Sequence, residues 1–185
     1  MAEDQRITRI KNLVGGFPDF PKPGILFRDI FPVLRNPGAF KELINVVVEH
    51  VQKTAPDVEI IVGLDSRGFI FGPMVAHALG IGFVPVRKSG KLPGETISVA
   101  YSLEYGKDRF EMQKDSLKAD QKVIIIDDLI ATGGTMAAAC ELVGLLKANI
   151  VQCFVVIELE DLNGKSKLSA PFKSLIKYSN SDQTI

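Results

Sequence analysis

The fold of this chain turns on Val123-Ile-Ile-Ile-Asp-Asp-Leu-Ile-Ala-Thr-Gly-Gly-Thr135. Lys122 to Ile126 is a short, β-branched, turn-bounded run, the pattern of a strand buried on both faces. Two carboxylates follow, Asp127 and Asp128, and then the small and hydroxylic residues Ala131, Thr132, Gly133, Gly134 and Thr135. Met136 to Lys147 reads as a helix. A strand, a tight small-residue turn and a helix N-terminus make an anion site, because free N–H groups and the helix dipole both favour negative charge. The loop has no lysine where a P-loop needs one and does not match the dinucleotide pattern. The acid pair would repel a bare phosphate beside it but suits hydroxyls or a cation. A ribose diol close to a 5′-phosphate satisfies both halves of the motif.

The same arrangement recurs upstream. Val58 to Gly63 predicts a buried strand, followed by the turn Leu64-Asp65-Ser66-Arg67-Gly68 and a helix from about Phe69 to Leu79. An arginine beside free amides suits a diphosphate. Both turns would open at one edge of a parallel sheet, where ligands sit in such folds. Gly82 to Arg87 predicts a third strand ending in Arg87 and Lys88, with Lys91 in a Gly/Pro-punctuated loop; these cations could meet diphosphate oxygens. Thr96 to Tyr105 and Arg109 to Met112 suggest a two-stranded flap. Ile150 to Glu158 and Phe172 to Tyr178 add strands, and Pro37 to Lys53 is an amphipathic helix.

The N-terminal stretch Phe17-Pro18-Asp19-Phe20-Pro21-Lys22-Pro23-Gly24-Ile25-Leu26-Phe27-Arg28-Asp29-Ile30 carries prolines that argue against regular structure. Its aromatics either pack on the core or form a stiff wall for a flat apolar ligand. His50 and His77 both read as structural residues on helices.

With 185 residues, the chain is expected to form one domain around a substantial core. Lys plus Arg and Asp plus Glu both number 22, so any anion site must be local, and nucleic-acid or anionic-membrane binding has no support from charge. No run has the length of a membrane span, and Met1 to Arg9 is too polar for a signal sequence. Cys140 and Cys153 lack metal-ligand spacing and read as buried thiols, which with the rest suggests a cytoplasmic protein.

Val123 to Thr135 resembles the phosphoribosyl pyrophosphate signature of type I phosphoribosyltransferases. Phe-Pro-Asp-Phe-Pro, Gly-Ile-Leu-Phe-Arg-Asp-Ile, Gly-Leu-Asp-Ser-Arg-Gly-Phe and Arg-Lys-Ser-Gly-Lys-Leu-Pro-Gly resemble the members that use adenine, and the likeness runs from about Phe17 to Tyr178. It implies a single-domain α/β fold with a mainly parallel central sheet, helices on both faces, an N-terminal hood over about residues 1–35 and a lid loop over about 90–112. It implies transfer of phosphoribose from 5-phosphoribosyl 1-pyrophosphate to adenine, giving AMP and pyrophosphate.

Site roles follow residue by residue from the same likeness. Asp127 and Asp128 would hold the ribose, and Ala131 to Thr135 the 5′-phosphate. Asp65, Ser66 and Arg67, with Lys88 or Lys91, would take pyrophosphate, in a turn whose peptide is often cis. Phe27 would stack on adenine while backbone groups of Leu26 and Arg28 read its edge, and Leu159 would pack on it. Glu104 would be the acid–base residue, in a lid with Tyr105. Mg²⁺ would be held mainly by substrate and water, and the enzyme would be a homodimer. A transferase for another base, or a ligand-sensing regulator on the same fold, stays open.

Overall fold

The computed structural model describes residues 4–102, 107–179 and 181–182. Its helices are α1 (Gln5–Leu13), α2 (Phe31–Arg35), α3 (Pro37–Thr54), α4 (Gly68–Leu79) and α5 (Gly134–Leu145). Its strands are β1 (Gly15–Pro18), β2 (Leu26–Asp29), β3 (Ile60–Leu64), β4 (Gly82–Lys88), β5 (Thr96–Ser102), β6 (Lys107–Gln113), β7 (Lys122–Ile130), β8 (Asn149–Leu159) and β9 (Phe172–Tyr178). β3 to β9 form one sheet in the order β5-β6-β4-β3-β7-β8-β9. The run β4-β3-β7-β8-β9 is parallel, and β5 and β6 continue it antiparallel beyond β4.

β7 lies between β3 and β8 in this sheet, which explains its continuous apolar run. Val123, Ile124, Ile125 and Ile126 are all buried. Each such side chain contributes roughly 1.5–3 kcal/mol relative to leaving it in water. Alternation sends Ile124 and Ile126 to the core beneath α1, α3 and α4, with Leu43, Val47, Phe71 and Val75. Val123 and Ile125 face the opposite core, where Ala139, Leu142 and Val143 of α5 meet Phe110 and Met112 of β6. The second face thus carries α5, and residues of the antiparallel strands β5 and β6 complete its core.

Two expectations are corrected. The proline-rich N-terminal stretch is partly regular: β1 and β2 pair antiparallel, from Gly15 opposite Asp29 to Pro18 opposite Leu26. Pro18 ends its strand, and Pro21 and Pro23 fall in the connecting turn, so no proline interrupts the ladder. Asp19 Oδ1 accepts from Gly24 N at 2.7 Å to close that turn. The strand of the central motif also runs on to Ile130, so Asp127 and Asp128 belong to the strand rather than to the loop after it.

Close packing at bare Cα atoms fixes the helix nearest the site. The Phe83 ring lies where Cβ atoms on Gly63 and Gly72 would be, 2.6 and 2.5 Å from its Cε2. Gly72→Ala gains helix propensity but overpacks this contact. A net loss of about 1 kcal/mol is expected by urea denaturation, with the loss abolished in a Phe83→Leu background.

Candidate active site

The carboxyl ends of β3 and β7 are neighbours, and each strand runs into a helix. α1 and α3 are capped by side chains, Asp4 accepting from Arg6 N and Asn36 from Ala39 N. α4 and α5 begin at Arg67 and Gly133 with no side-chain cap. The first N–H groups of a helix have no partner within it. The two uncapped N-termini therefore present amides and dipole ends at one edge of the sheet, where an anion can take them. Gly133 adopts φ +80°, a left-handed conformation that makes the turn into α5.

Between them lies the acid pair. Asp128 is buried and Asp127 is partly open to solvent. Asp127 Oδ1 accepts from Asp128 N at 2.9 Å. Arg67 Nε stands 3.0 Å from Asp128 Oδ2, close enough for an ion pair, but its N–H does not point at the oxygen, which has no hydrogen bond. Burial pushes both carboxyls above the usual carboxylate range. The neighbouring Asp128 charge raises Asp127 further, whereas Arg67 partly offsets the rise at Asp128. A buried carboxylate oxygen without a donor is a place for a ligand hydroxyl.

Arg67 is reached because Gly68 has no side chain: a Cβ there would stand 2.7 Å from Ile126 O. The Arg67 guanidinium also lies 5.8 Å from the centre of the Phe27 ring, which ties the hood to the sheet edge. Between hood and sheet is a cleft of about 700 Å³. Leu26, Phe27, Arg28, Arg67, Ala131 and Leu159 all line it, so the adenine-side residues expected from sequence come together with one residue from each anion loop.

Lys88 and Lys91 stand on the other flank. Lys88 Nζ is 3.1 Å from Asp108, and the Lys91 and Leu92 amides donate to Glu111 Oε1, each at 2.8 Å. Burial alone would raise Glu111, but these amides, that of Gly90 and the Thr96 side chain outweigh it and hold the carboxyl low. Asp65 is paired with Arg87 at 3.0 Å, and the Asp65–Ser66 peptide is cis. Glu104 and Tyr105 lie outside the described residues, between β5 and β6.

Sequence reasoning missed Leu129, Asp161, Leu162, Tyr178 and Ser179, which also line the cleft. Tyr178 ends a parallel strand at the same edge, so the rule that located Arg67 could have located it. Its ring packs 4.0 Å from the Arg28 guanidinium, which also donates to the Asp182 carbonyl, anchoring the hood to the C-terminal strand. The small-residue loop leans on Gly164: a Cβ on Gly133 would stand 2.2 Å from Gly164 O.

A carboxylate pair, two free helix N-termini and an apolar slot define a site for a phosphorylated sugar joined to a flat ring. Comparisons with known proteins agree. The phosphoribosyl transferase domain family matches residues 33–184. Adenine phosphoribosyltransferase from Cricetulus griseus is 51% identical over 180 residues, 96% of this chain and 99% of that protein. The Homo sapiens enzyme is 49% identical over 177 residues, 95% of this chain and 98% of its own. Adenine phosphoribosyltransferase from Saccharomyces cerevisiae, solved with adenine and an imino-altritol bisphosphate, superposes with a TM-score of 0.91 at 50% identity, covering 93% of this chain and 99% of that one. The chain belongs to the adenine phosphoribosyltransferase family of the phosphoribosyltransferases.

The raised acids set a stability expectation. A carboxyl with a raised folded pKa binds its proton more tightly in the folded protein. Its contribution to stability therefore falls as pH climbs from the unfolded value near 3.8 through the folded one. Asp127→Asn keeps an acceptor for Asp128 N and removes the charge. It should melt a few degrees above wild type at about pH 7.5, with the gap closing as pH approaches 4. Calorimetric melting points of both proteins across that range check it; a gap that is flat with pH, or of opposite sign, refutes the assignment.

Proposed function

We propose that the cleft performs the reaction of the family: adenine and 5-phosphoribosyl 1-pyrophosphate give AMP and pyrophosphate. The observation that carries this reading is the cleft itself, which Phe27 of the hood and Leu159 of the sheet line together with Ala131, just before the uncapped start of α5. The neighbour from Trypanosoma brucei, solved with AMP, pyrophosphate and ribose-5-phosphate, has a TM-score of 0.87 at 26% identity and supports the same ligand set.

In this reading adenine lies against Phe27 and Leu159, with backbone groups of Leu26 and Arg28 at its edge. A peptide's adjacent donor and acceptor complement the amino group and ring nitrogen of that base. Amides and hydroxyls of Ala131 to Thr135 hold the 5′-phosphate. Asp127 and Asp128 accept from the 2′ and 3′ hydroxyls, which supplies the donor that Asp128 Oδ2 lacks. Arg67, with Asp65, Ser66 and Lys88 or Lys91, receives the diphosphate. N9 attacks C1′ as the bond from C1′ to the pyrophosphate oxygen breaks, and positive charge develops on the ribose beside the acid pair. Glu104 takes the proton from N7, and the Tyr105 lid excludes water that would hydrolyse the donor.

Mg²⁺ fits this donor set as a partner of the substrate. Its ligands would be mainly substrate oxygens and water, as suits a hard cation that keeps much of its hydration. When bound, it neutralises charge on the leaving group. We further propose a cytoplasmic homodimer. Free, buried Cys140 and Cys153 support the reducing compartment, and among the described residues no helix is long and apolar enough to cross a membrane. The dimer rests on family resemblance, and light scattering of the purified protein tests it; a monomeric mass refutes it.

A labelled-adenine assay tests the activity, which is excluded if only another base turns over. Asp128→Asn should lower kcat about a hundredfold or more while adenine binding holds. Turnover at the wild-type rate would remove the acid pair from the chemistry. Glu104→Gln should slow turnover with donor affinity intact, and wild-type rates in that variant would reassign the proton transfer.

A further inference from the structure

Behind the small-residue loop lies a second layer to which the reaction assigns no role. Glu160–Leu162 and Gly164–Lys167 form two short 3-10 turns after β8. Gly164 packs its bare Cα against the loop: a Cβ there would stand 2.3 Å from Ala131 O and 2.7 Å from Gly133 N. Loop and turn therefore touch backbone to backbone, with no side chain between them to absorb a shift.

The turn is itself tied down. Lys165 Nζ lies 3.0 Å from Glu158 Oε1, and Ser174 Oγ donates to Glu158 Oε2 at 2.5 Å. Glu158, at the carboxyl end of β8, is 3% exposed, and Ser174 on β9 is also buried. Burial alone would raise the Glu158 carboxyl; the Ser174 hydrogen bond, Lys165 and the more distant Lys177 charge outweigh it and hold it ionised. An exposed ion pair fixes little, but a buried carboxylate cannot lose its partners without a large penalty. Lys165 is thereby held to a rigid strand, and Gly164 is its neighbour in sequence.

We propose that Glu158 is a positioning residue for the 5′-phosphate: by anchoring Lys165 it fixes Gly164, and Gly164 sets the placement of the amides from Ala131 to Thr135. This rests on the reading of that loop as the phosphate site. Glu158 touches no substrate. Its effect falls chiefly on ligands that carry the phosphate, because Leu26, Phe27 and Arg28 of the base slot belong to the hood rather than to the turn that Glu158 anchors.

Calorimetric titration of the full chain with AMP and with adenosine, which lacks the phosphate, tests it. Glu158→Gln keeps shape and an acceptor for Ser174 but removes the charge that holds Lys165; Lys165→Met removes the pair from its half-exposed side. Each should weaken AMP about tenfold, the scale of one displaced charge-assisted hydrogen bond, and leave adenosine unchanged. In steady state, KM for the phosphoribosyl donor should rise while kcat and KM for adenine hold. A merely structural role would weaken both ligands alike, and that result, or no change in either variant, overturns the proposal. If Glu158→Gln does not fold, Lys165→Met decides by the same readings. The double variant Thr132→Ala/Thr135→Ala separates the two levels. If AMP keeps its advantage over adenosine there, the phosphate reading itself fails. If the advantage is lost there but kept in both positioning variants, only the role of Glu158 fails.

Discussion

Two like charges in the end of a central strand are the constraint around which the rest of this molecule is arranged. Asp127 and Asp128 continue the ladder of β7, and burial disfavours the charge of both. A free loop would solvate them and hold them loosely. The strand holds them firmly at a cost in stability that four buried β-branched residues just before them offset. The helices then begin as close as their backbones allow. Gly68 admits α4 to within contact of Ile126, which delivers Arg67 to Asp128, and Gly133 turns the chain sharply into α5. Rigidity, proximity and amides left free share one origin, the placement of glycine where strand gives way to helix.

Much of this was legible because it is local. The short β-branched runs of β3, β7 and β8 read as buried strands, and their turns pointed to the ligand edge through Arg67 and the Ala-Thr-Gly-Gly-Thr loop. The N-terminal hairpin was less legible because its prolines count against strands on average. What matters is their position: Pro18 is the last residue of its strand, and Pro21 and Pro23 fall in the turn. Leu129 was missed because Ile126 and Leu129 pack toward the same core, so alternation does not hold across the acid pair. The contact of Gly133 with Gly164 joins residues far apart in sequence and leaves no pattern of its own. The preference for adenine was legible only through resemblance, since the groups that would read the base are backbone groups.

The cations of the site explain how a chain of no net charge can serve a polyanion. Arg67, Arg87 and Lys88 are each already paired, with Asp128, Asp65 and Asp108. A diphosphate bound as proposed would have to displace carboxylates rather than meet bare charge. For Lys88, more than half exposed, the pair is worth little and giving it up costs little. For Arg67 the partner is buried, and removing the guanidinium alone would strand a desolvated carboxylate. That cost vanishes only if a new donor reaches Asp128 in the same event. A sugar diol is such a donor. Pyrophosphate alone can take Arg67 but cannot satisfy what Arg67 leaves behind, whereas a ligand carrying both groups on one ribose can. If the donor binds as proposed, the pairing at rest would favour it over its leaving group through two residues, Arg67 and Asp128.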